Sequence, residues 1–378
     1  MEDNNRRKFI KNVGIGAAAI GTAGLAGVLS SCKGQKQEEQ AVKEEPKAKT
    51  IEWKMVTTWP PHSPMLGEGA DKLAEWIEQM SGGRLKIKVY GGGELVPPLG
   101  VFDAVSQGTA EMGHGVAYYW AGKVPAAQFF AAVPFGFNAQ NLNAWLYAGD
   151  GLKLWEEIYE KFNVKPFPAG NTGAQMGGWF NKKINSMADL KGLKMRIPGL
   201  GGKVLAKAGG NAVLVAGGEI YTNLDRGVID ATEWVGPFHD LQMGFYKAAK
   251  YYYYPGWHEC GSALETIINK DAWNALPDDL KAIVETATYK ANIWMISNFE
   301  AKNNAALREL IDVHKVQLME FPESVLKEFK KLSLEVLEEI AESDPMSRKV
   351  YDSFLEFQKN IYEWNKIAEE PYQKLKHL

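Results

Sequence analysis

Polar residues at the ends of predicted strands and turns are the ones whose types could bind a charged ligand: Asn171, Gln175, Arg196, Glu233 and Glu259. Arg196 ends a predicted strand just before Pro198, where a planar guanidinium can bind a carboxylate through two parallel hydrogen bonds. The same position also fits an exposed arginine in a surface ion pair, the commoner case for an isolated arginine. Arg196 therefore predicts either an anion site or an ordinary surface residue.

Glu233 closes a predicted strand that begins at Val228, next to Trp234 and ahead of Gly236-Pro237. Because adjacent strand residues point to opposite faces, the glutamate and the tryptophan should separate there. A carboxylate at this turn could bind a cation, or it could be an exposed strand-end glutamate beside a core tryptophan. Glu259 has the same two interpretations.

The two amides have a structural alternative of their own. Gln175 begins a predicted strand after a glycine-rich turn, where its side chain could pair with backbone groups. Asn171 lies two residues before Gly173 and fits an asparagine that stabilises the turn itself. None of these residues establishes a binding site when it is taken alone.

Enzyme signatures do not account for the sequence. The glycine-rich run Gly199-Leu200-Gly201-Gly202-Lys203-Val204 lacks the third glycine of a dinucleotide loop and the hydroxyl residue that follows the lysine of a P-loop. The six histidines have no zinc-site spacing. Cys260 is predicted to be a lone buried thiol, with a catalytic nucleophile as the minority interpretation. An exported oxidoreductase remains the competing class, although no cofactor motif supports it.

The elements that must position these residues alternate between periods of two and 3.6 residues, which indicates a layered α/β protein. Ile51–Thr57, Asp71–Met80 and Arg84–Val89 predict a strand-helix-strand unit. Residues 102–112 and 222–232 each predict a helix end, a capping glycine and a short strand that carries an acid. This similarity favours two lobes built on related plans.

The chain is predicted to cross between the two lobes more than once. Lobe I comprises residues 51–172 and about 258–310, and lobe II comprises residues 173–257. Several crossings make a hinge, and the cleft between hinged lobes is a natural ligand site. Residues 311–378 are predicted to form long C-terminal helices that pack on the lobes. The apolar face of the last helix fits packing on its own chain or a dimer interface.

The N-terminal residues predict export. Arg6-Arg7 precedes a weakly hydrophobic run and resembles a twin-arginine signal, and Leu29-Ser30-Ser31-Cys32 resembles a lipoprotein cleavage box. We therefore expect residues 1–31 to be a signal peptide, Cys32 to carry the lipid anchor, and residues 32–50 to be a flexible tether. The alternative is a single membrane-spanning anchor, but the apolar run is short and interrupted by five glycines.

Net charge argues against one class of partner. The chain carries a net charge of −3, and residues 1–31 contain four basic and two acidic groups, so the remainder is more acidic still. No cluster of lysine and arginine alternates with aromatic residues, so nucleic acid is not an expected partner. With Cys32 lipidated, Cys260 is the only other cysteine and no disulfide can form within the chain.

Three segments taken together resemble one family: Asn171-Thr172-Gly173-Ala174-Gln175, Lys194-Met195-Arg196-Ile197-Pro198-Gly199 and Asp230-Ala231-Thr232-Glu233-Trp234. They resemble the extracytoplasmic solute-binding proteins of TRAP transporters, the DctP-type family, and the similarity runs from about Trp53 to the C-terminus. Within that family the sequence is most similar to the branch that binds 2-oxo acids and lactate. The resemblance implies a two-lobed fold of the periplasmic binding-protein type, with a hinged cleft.

The resemblance also implies roles for the residues described above. Arg196 would hold the carboxylate of a small organic acid, and Asn171 and Tyr119 would donate hydrogen bonds to it or to the 2-oxygen. Gln175 and Trp234 would also contact the acid. A metal ion would be held by oxygen atoms of Gln175, Glu233, Glu259 and the backbone carbonyl of Trp234. Oxygen ligands favour a hard cation, either Na⁺ or Ca²⁺, and a second carboxylate favours calcium.

The mechanism implied by the resemblance breaks no bond. A carboxylate held between the two lobes shifts the hinge equilibrium towards closure, and the membrane subunits of the transporter recognise the closed form. The expected protein is a receptor outside the cytoplasmic membrane rather than an enzyme.

Overall fold

The computed structural model describes residues 49–376. The predicted signal peptide 1–31, the predicted lipidation site Cys32 and nearly all of the predicted tether lie outside the described residues. Within the described range, no helix combines the length and the apolar character that a membrane crossing requires.

Eleven strands lie within residues 49–376, and they form two sheets. The strands are β1 (Ile51–Thr57), β2 (Leu85–Tyr90), β3 (Met112–Gly115), β4 (Val164–Asn171), β5 (Gly178–Phe180), β6 (Lys194–Arg196), β7 (Asn211–Val213), β8 (Ala231–Thr232), β9 (Tyr251–Tyr254), β10 (Ala263–Asn269) and β11 (Gln317–Glu320). The first sheet has the order β2-β1-β3-β10-β4, and the second has the order β11-β9-β5-β8-β6-β7.

Twelve α-helices within the same described range cover the sheets. They are α1 (Leu66–Met80), α2 (Val101–Ser106), α3 (Ala139–Ala148), α4 (Gly151–Tyr159), α5 (Gly199–Lys207), α6 (Ile220–Asp225), α7 (Pro237–Met243), α8 (Lys270–Ala275), α9 (Asp278–Asp312), α10 (Glu323–Ser343), α11 (Pro345–Asn365) and α12 (Glu369–Leu375). Single 3₁₀ turns lie at Pro98–Gly100, Ala117–Trp120, Pro125–Phe130, Glu160–Phe162, Met187–Leu190, Gly217–Glu219 and Phe245–Lys247.

The first lobe is built on the five-stranded sheet. In it, β1 is parallel to both β2 and β3, and β10 is antiparallel to β3 and β4. Helix α1 begins at Leu66, earlier than the predicted Asp71. The reason is local, because Ser63 Oγ accepts a hydrogen bond from the Gly67 N–H at 3.1 Å and the Glu68 carboxylate accepts from the Met65 N–H at 3.4 Å. These two side chains satisfy donors that would otherwise be free in the first turn.

The second lobe is built on the six-stranded sheet. Strand β6 lies between β7 and β8 and is parallel to both, whereas β5 is antiparallel to β8 and β9. The two segments predicted to be related have the same local structure. A short helix, α2 or α6, is followed by a glycine with positive φ, Gly108 (73°) or Gly227 (68°), and then by a strand, β3 or β8.

The strand predicted to start at Gln175 begins at Gly178 instead. Gln175 lies in the loop from β4 to β5. Backbone hydrogen bonds join this loop to residues that lie outside the strands. The Gln175 N–H donates to the Glu259 carbonyl at 3.1 Å, and the Met176 N–H donates to the Val235 carbonyl at 3.0 Å. Because these two N–H groups donate outside the sheet, residues 175 and 176 do not extend the β5 pairing.

The C-terminal part is helical, as predicted, with one addition. Helix α9 packs on α1 and β4 of the first lobe and on α7 of the second. Helix α10 packs on α5, whereas α11 packs on α4, so the last helices contact both lobes. Strand β11 was not predicted; it pairs in parallel with β9 at the edge of the second sheet.

Candidate functional site

A small cavity lies between residues carried by the two sheets, and it has room for roughly one water molecule. Tyr119 and Trp59 line it from the first lobe, Trp234 lines it from the second, and Gln175 and Thr172 line it from the β4–β5 loop. Side chains of both lobes therefore meet around this cavity.

Arg196 and Glu233 are neighbours because two parallel strands end together. Strands β6 and β8 pair with Arg196 opposite Thr232, and the Glu233 N–H donates to the Arg196 carbonyl at 3.1 Å. The carboxyl ends of parallel strands are the usual location of ligand sites in α/β sheets. This pairing brings one cationic and one anionic side chain to the same point of the cleft.

Both side chains are almost completely buried, with 1% of Arg196 and 0% of Glu233 exposed. Arg196 Nη1 lies 2.5 Å from Glu233 Oε1. An arginine in a surface ion pair is therefore the wrong interpretation for Arg196, and an exposed strand-end glutamate is the wrong one for Glu233. Burial alone would lower the pKa of the Arg196 guanidinium, but Tyr119 and Glu233 beside it raise that pKa overall, so Arg196 keeps its charge.

Arg196 reaches across to the first lobe through Tyr119. Its Nη2 donates to the Tyr119 hydroxyl at 3.1 Å, and its guanidinium carbon lies 5.0 Å from the centre of the Trp234 ring. Burial raises the pKa of Tyr119, so its hydroxyl keeps the proton and can donate to a further acceptor.

Gln175 and Glu259 form the second half of the polar cluster. Gln175 Nε2 donates to Glu259 Oε2 at 2.8 Å, whereas Gln175 Oε1 is buried and has no hydrogen-bond partner among residues 49–376. Glu259 is buried, so exposure at a strand end is the wrong interpretation for this residue too. Burial, together with the nearby charge of Glu233, raises the pKa of Glu259 to about 7.

The donor set fits a hard cation. Oxygen or nitrogen atoms of Glu233, His258 and Glu259 all lie within 4.8 Å of one another, and Gln175 Oε1, unpartnered within the described part of the chain, is available to an electropositive ligand. Two carboxylates with an amide oxygen are ligands that Na⁺ and Ca²⁺ accept readily. His258 fits such an ion less well, and its Nε2 lies 3.4 Å from Glu233 Oε2 as a hydrogen-bond partner.

Asn171 combines both of its predicted interpretations in different atoms. Its Oδ1 accepts from the Gly173 N–H at 2.8 Å and stabilises the turn, as the structural alternative predicts. Its buried Nδ2 has no hydrogen-bond partner among the described residues and can still donate to a ligand. Asn171 does not itself line the cavity, but its neighbour Thr172 does, and Thr172 Oγ1 accepts from Gln175 Nε2 at 3.0 Å.

The sequence reasoning missed His258, Trp59 and Ser262. His258 directly precedes Glu259, and its contact with Glu233 depends on how the chain returns to the first lobe after β9. Trp59 and Ser262 line the cavity, but each lies in an irregular segment without a recognisable spacing. A tryptophan that follows a strand by two residues is the only signal that could have pointed to Trp59.

Cys260 does not have the properties of a catalytic nucleophile. Burial raises the pKa of its thiol to about 11, so little of the reactive thiolate form is present at neutral pH. Cys260 is half-buried, not fully buried as the lone-thiol interpretation predicts.

Comparison with known proteins places the chain in a family. Residues 55–344 match the sequence pattern of the DctP family, described as bacterial extracellular solute-binding protein, family 7. A monocarboxylate 2-oxoacid-binding periplasmic protein of Nostoc sp. strain PCC 7120 is 47% identical over 325 residues, which are 85% of this chain and 88% of that protein.

Two crystal structures show the same fold at substantial identity. A TRAP periplasmic solute-binding protein of Pseudoalteromonas atlantica, with bound sodium and pyruvate, is 40% identical with a TM-score of 0.84, covering 86% of this chain and 99% of its own. A counterpart from Colwellia psychrerythraea, with bound calcium and pyruvate, is 42% identical with a TM-score of 0.83 and the same coverage, 86% and 99%. The two-lobed α/β fold is thereby confirmed. The chain belongs to the DctP family of bacterial extracellular solute-binding proteins, which are transport receptors rather than enzymes.

Proposed function

We propose that this protein captures a small 2-oxo monocarboxylate, pyruvate or a close homologue, together with Na⁺ or Ca²⁺, and delivers it to the membrane subunits of a TRAP transporter. The observation that carries the proposal is the buried pair of Arg196 and Glu233 beside the free Gln175 Oε1. The relatives described with pyruvate and a metal ion support the choice of ligand.

The charges of the site explain why an acid and a cation would bind together. Arg196 and Glu233 pair with each other, so a ligand carboxylate competes with Glu233 for the guanidinium. Displacement would leave the buried Glu233 carboxylate with only the 3.4 Å contact to His258, and a buried charge that is poorly paired is strongly unfavourable. Glu233 avoids this penalty by binding a cation. Negative and positive charges then alternate in the order Glu233, cation, ligand carboxylate and Arg196.

Each residue has a role in this proposal. Arg196 binds the ligand carboxylate, and Tyr119 and Asn171 donate to its oxygens. Oxygen atoms proposed to hold the cation belong to Gln175, Glu233, Glu259 and the backbone carbonyl of Trp234. The cation would supply positive charge that neutralises the buried carboxylates.

The lobes are proposed to close on the ligand as units. We assign residues 51–172 and about 258–310 to lobe I, residues 173–257 to lobe II, and residues 311–378 to a C-terminal part that contacts both. The segments that cross between the sheets are the β4–β5 loop, the β9–β10 connection and helix α9. A hydrogen bond such as Arg196 to Tyr119 forms only when the lobes meet, so it favours the closed form.

We also propose export by the twin-arginine route and lipid anchoring through Cys32, supported by Arg6-Arg7 and the residues before Cys32. Membrane fractionation of cells that express the protein or its Cys32→Ser variant would test the anchor.

A homodimer is supported by apolar residues exposed near the C-terminus, where Trp364 is 60% and Ile367 is 75% exposed. Earlier residues of α11, including Phe354, pack on their own chain. Light scattering of the purified protein would test the dimer.

A thermal-stability panel tests the ligand class. A ligand that binds only the folded protein stabilises it by about 2.7 kcal/mol at one hundred times its Kd. We expect the melting temperature to rise with pyruvate or lactate in the presence of Na⁺ or Ca²⁺, and to stay unchanged with a polyol or an aromatic acid. If no small carboxylate raised it with either metal, the proposed ligand class would be wrong.

A further inference from the structure

Two tryptophans, one from each lobe, meet edge to face at the cavity. Trp59 follows β1, and Trp234 follows β8. Their ring centres are 6.4 Å apart with an interplanar angle of 80°, and both rings line the cavity. They are the largest side chains that line it, so we expect the carbon chain of a bound ligand to contact one or both.

A histidine of the same lobe takes the N–H group of each indole. Trp59 Nε1 donates to His114 Nδ1 at 2.8 Å, and Trp234 Nε1 donates to His239 Nδ1 at 2.7 Å. His114 lies on β3, which pairs with β1, and His239 lies in α7. Because an indole has only this one donor, neither tryptophan can hydrogen-bond to a ligand.

The two histidines are held in the form that accepts. Both are fully buried, and burial lowers the pKa of His114 to about 4. Because each Nδ1 accepts from an indole N–H, the proton of each imidazole lies on Nε2, and His114 Nε2 lies 3.5 Å from the Ala169 carbonyl. The geometry of each pair therefore requires a neutral imidazole.

Packing behind Trp234 leaves its ring little freedom. A methyl group added at Gly217 would lie 2.4 Å from the Trp234 ring, so the ring rests directly on the backbone there. The Arg196 guanidinium covers a face of the same ring at 5.0 Å. Interior side chains packed this closely cannot move away to admit a larger group at low cost.

We propose that His114 and His239 are positioning residues that fix Trp59 and Trp234 as rigid walls, and that these walls limit the carbon chain of the bound acid to a few carbons. The inference rests on the proposed function of the cavity as an acid receptor. Since each histidine–tryptophan pair lies within one lobe, each wall keeps its position while the lobes open and close.

The test is a calorimetric series of 2-oxo acids with the purified protein in calcium buffer. The acids are pyruvate, 2-oxobutyrate, 2-oxopentanoate and 4-methyl-2-oxopentanoate, and the readout is the ratio of each Kd to that of pyruvate. Once the carbon chain is longer than the two walls allow, we expect each added methylene to lower the affinity of the wild-type protein roughly tenfold or more. His239→Leu and His114→Leu should each reduce that ratio at least fivefold.

Conservative variants separate positioning from packing. Asparagine can place Oδ1 near the position of Nδ1 and accept from the indole, so His239→Asn and His114→Asn should retain most of the wild-type ratio. Ser353→Ala is the matched control, because it removes the acceptor 3.3 Å from the indole nitrogen of Trp145, away from the cavity. That variant should leave the ratio unchanged.

Two outcomes overturn the inference. One is a pair of folded leucine variants that keep the wild-type ratio. If the leucine variants do not fold, Gly217→Ala decides, because it must displace the Trp234 ring while His239 stays intact. The ratio should then change several-fold, and an unchanged ratio would contradict the role of the walls. A wild-type protein that binds none of the acids would instead refute the proposed function itself, and this inference with it.

Discussion

Arg196 and Glu233 illustrate what one residue can and cannot reveal by itself. Their place at strand ends follows from the sequence, since Pro198 and Gly236-Pro237 end the strands. Their burial does not follow, because it depends on β6 lying beside β8 and on Tyr119 approaching from the other lobe. His258 could not be predicted for the same reason.

The guanidinium geometry of Arg196 should be essential for affinity. Arg196→Lys keeps the charge but loses the planar fork, so pyruvate affinity should fall at least tenfold. Arg196→Gln removes the charge that binds the ligand carboxylate and should cost about 2–5 kcal/mol of binding. Calorimetry measures both, with circular dichroism to confirm folding. Arg348→Lys is the control, since that arginine forms exposed pairs with Glu338 and Asp352, and its affinity should equal that of wild type. Retained affinity in Arg196→Gln would locate the carboxylate elsewhere.

Glu265 predicts a pH dependence of stability in the first lobe. It is buried and accepts from Trp120 and Tyr159, and burial raises its pKa to about 8. A folded-state pKa above the ordinary value means that the native protein binds the proton more tightly. The contribution to stability is therefore complete at low pH and is lost as the pH rises towards and through 8.

Glu265→Gln should remove that dependence, because the amide mimics the protonated acid. Relative to wild type, the variant should gain stability between pH 6 and 9, by roughly 1 kcal/mol or more. Urea unfolding at several pH values measures the difference. A constant difference between the two proteins across this range would show that Glu265 does not change its protonation there.

At the scale of elements, the periodicity of the sequence identified most helices and strands but not where each one stops. The N-terminal start of α1 depends on Ser63 and Glu68, which satisfy backbone donors that periodicity does not register. Strand β8 covers only Ala231–Thr232, so it starts after the predicted Val228 and ends just before Glu233. Strand β11 was missed, since pairing with β9 gives four residues a role that their own pattern does not show.

The junction of α10 and α11 should depend on Asp344. Its carboxylate accepts from the Met346 and Ser347 N–H groups, both at 2.9 Å, and so caps α11. Asp344→Ala should lower the free energy of unfolding by about 0.5–2 kcal/mol. Asp352→Ala, which breaks an exposed pair with Arg348, should change it by less than about 0.5 kcal/mol. Equal losses in the two variants, measured by urea unfolding, would mean that the cap contributes little.

At the scale of the whole molecule, the two lobes and their related plans were foreseen from short segments. The similar segments 102–112 and 222–232 lie in equivalent helix-glycine-strand units of different sheets. The distribution of the C-terminal helices over both lobes could not be foreseen, because amphipathic helices do not specify which surface they cover. The central claim for the molecule is that both lobes close on an acid and a cation bound together.

Titration of pyruvate into the protein in three buffers tests that claim most directly. The buffers contain calcium, sodium without divalent ions, or potassium with a chelator that removes divalent ions. Glu233 and Arg196 pair with each other when neither has another partner, so we predict measurable affinity in at least one of the first two buffers and at least tenfold weaker binding in the third. Equal pyruvate affinity in all three buffers would contradict the account.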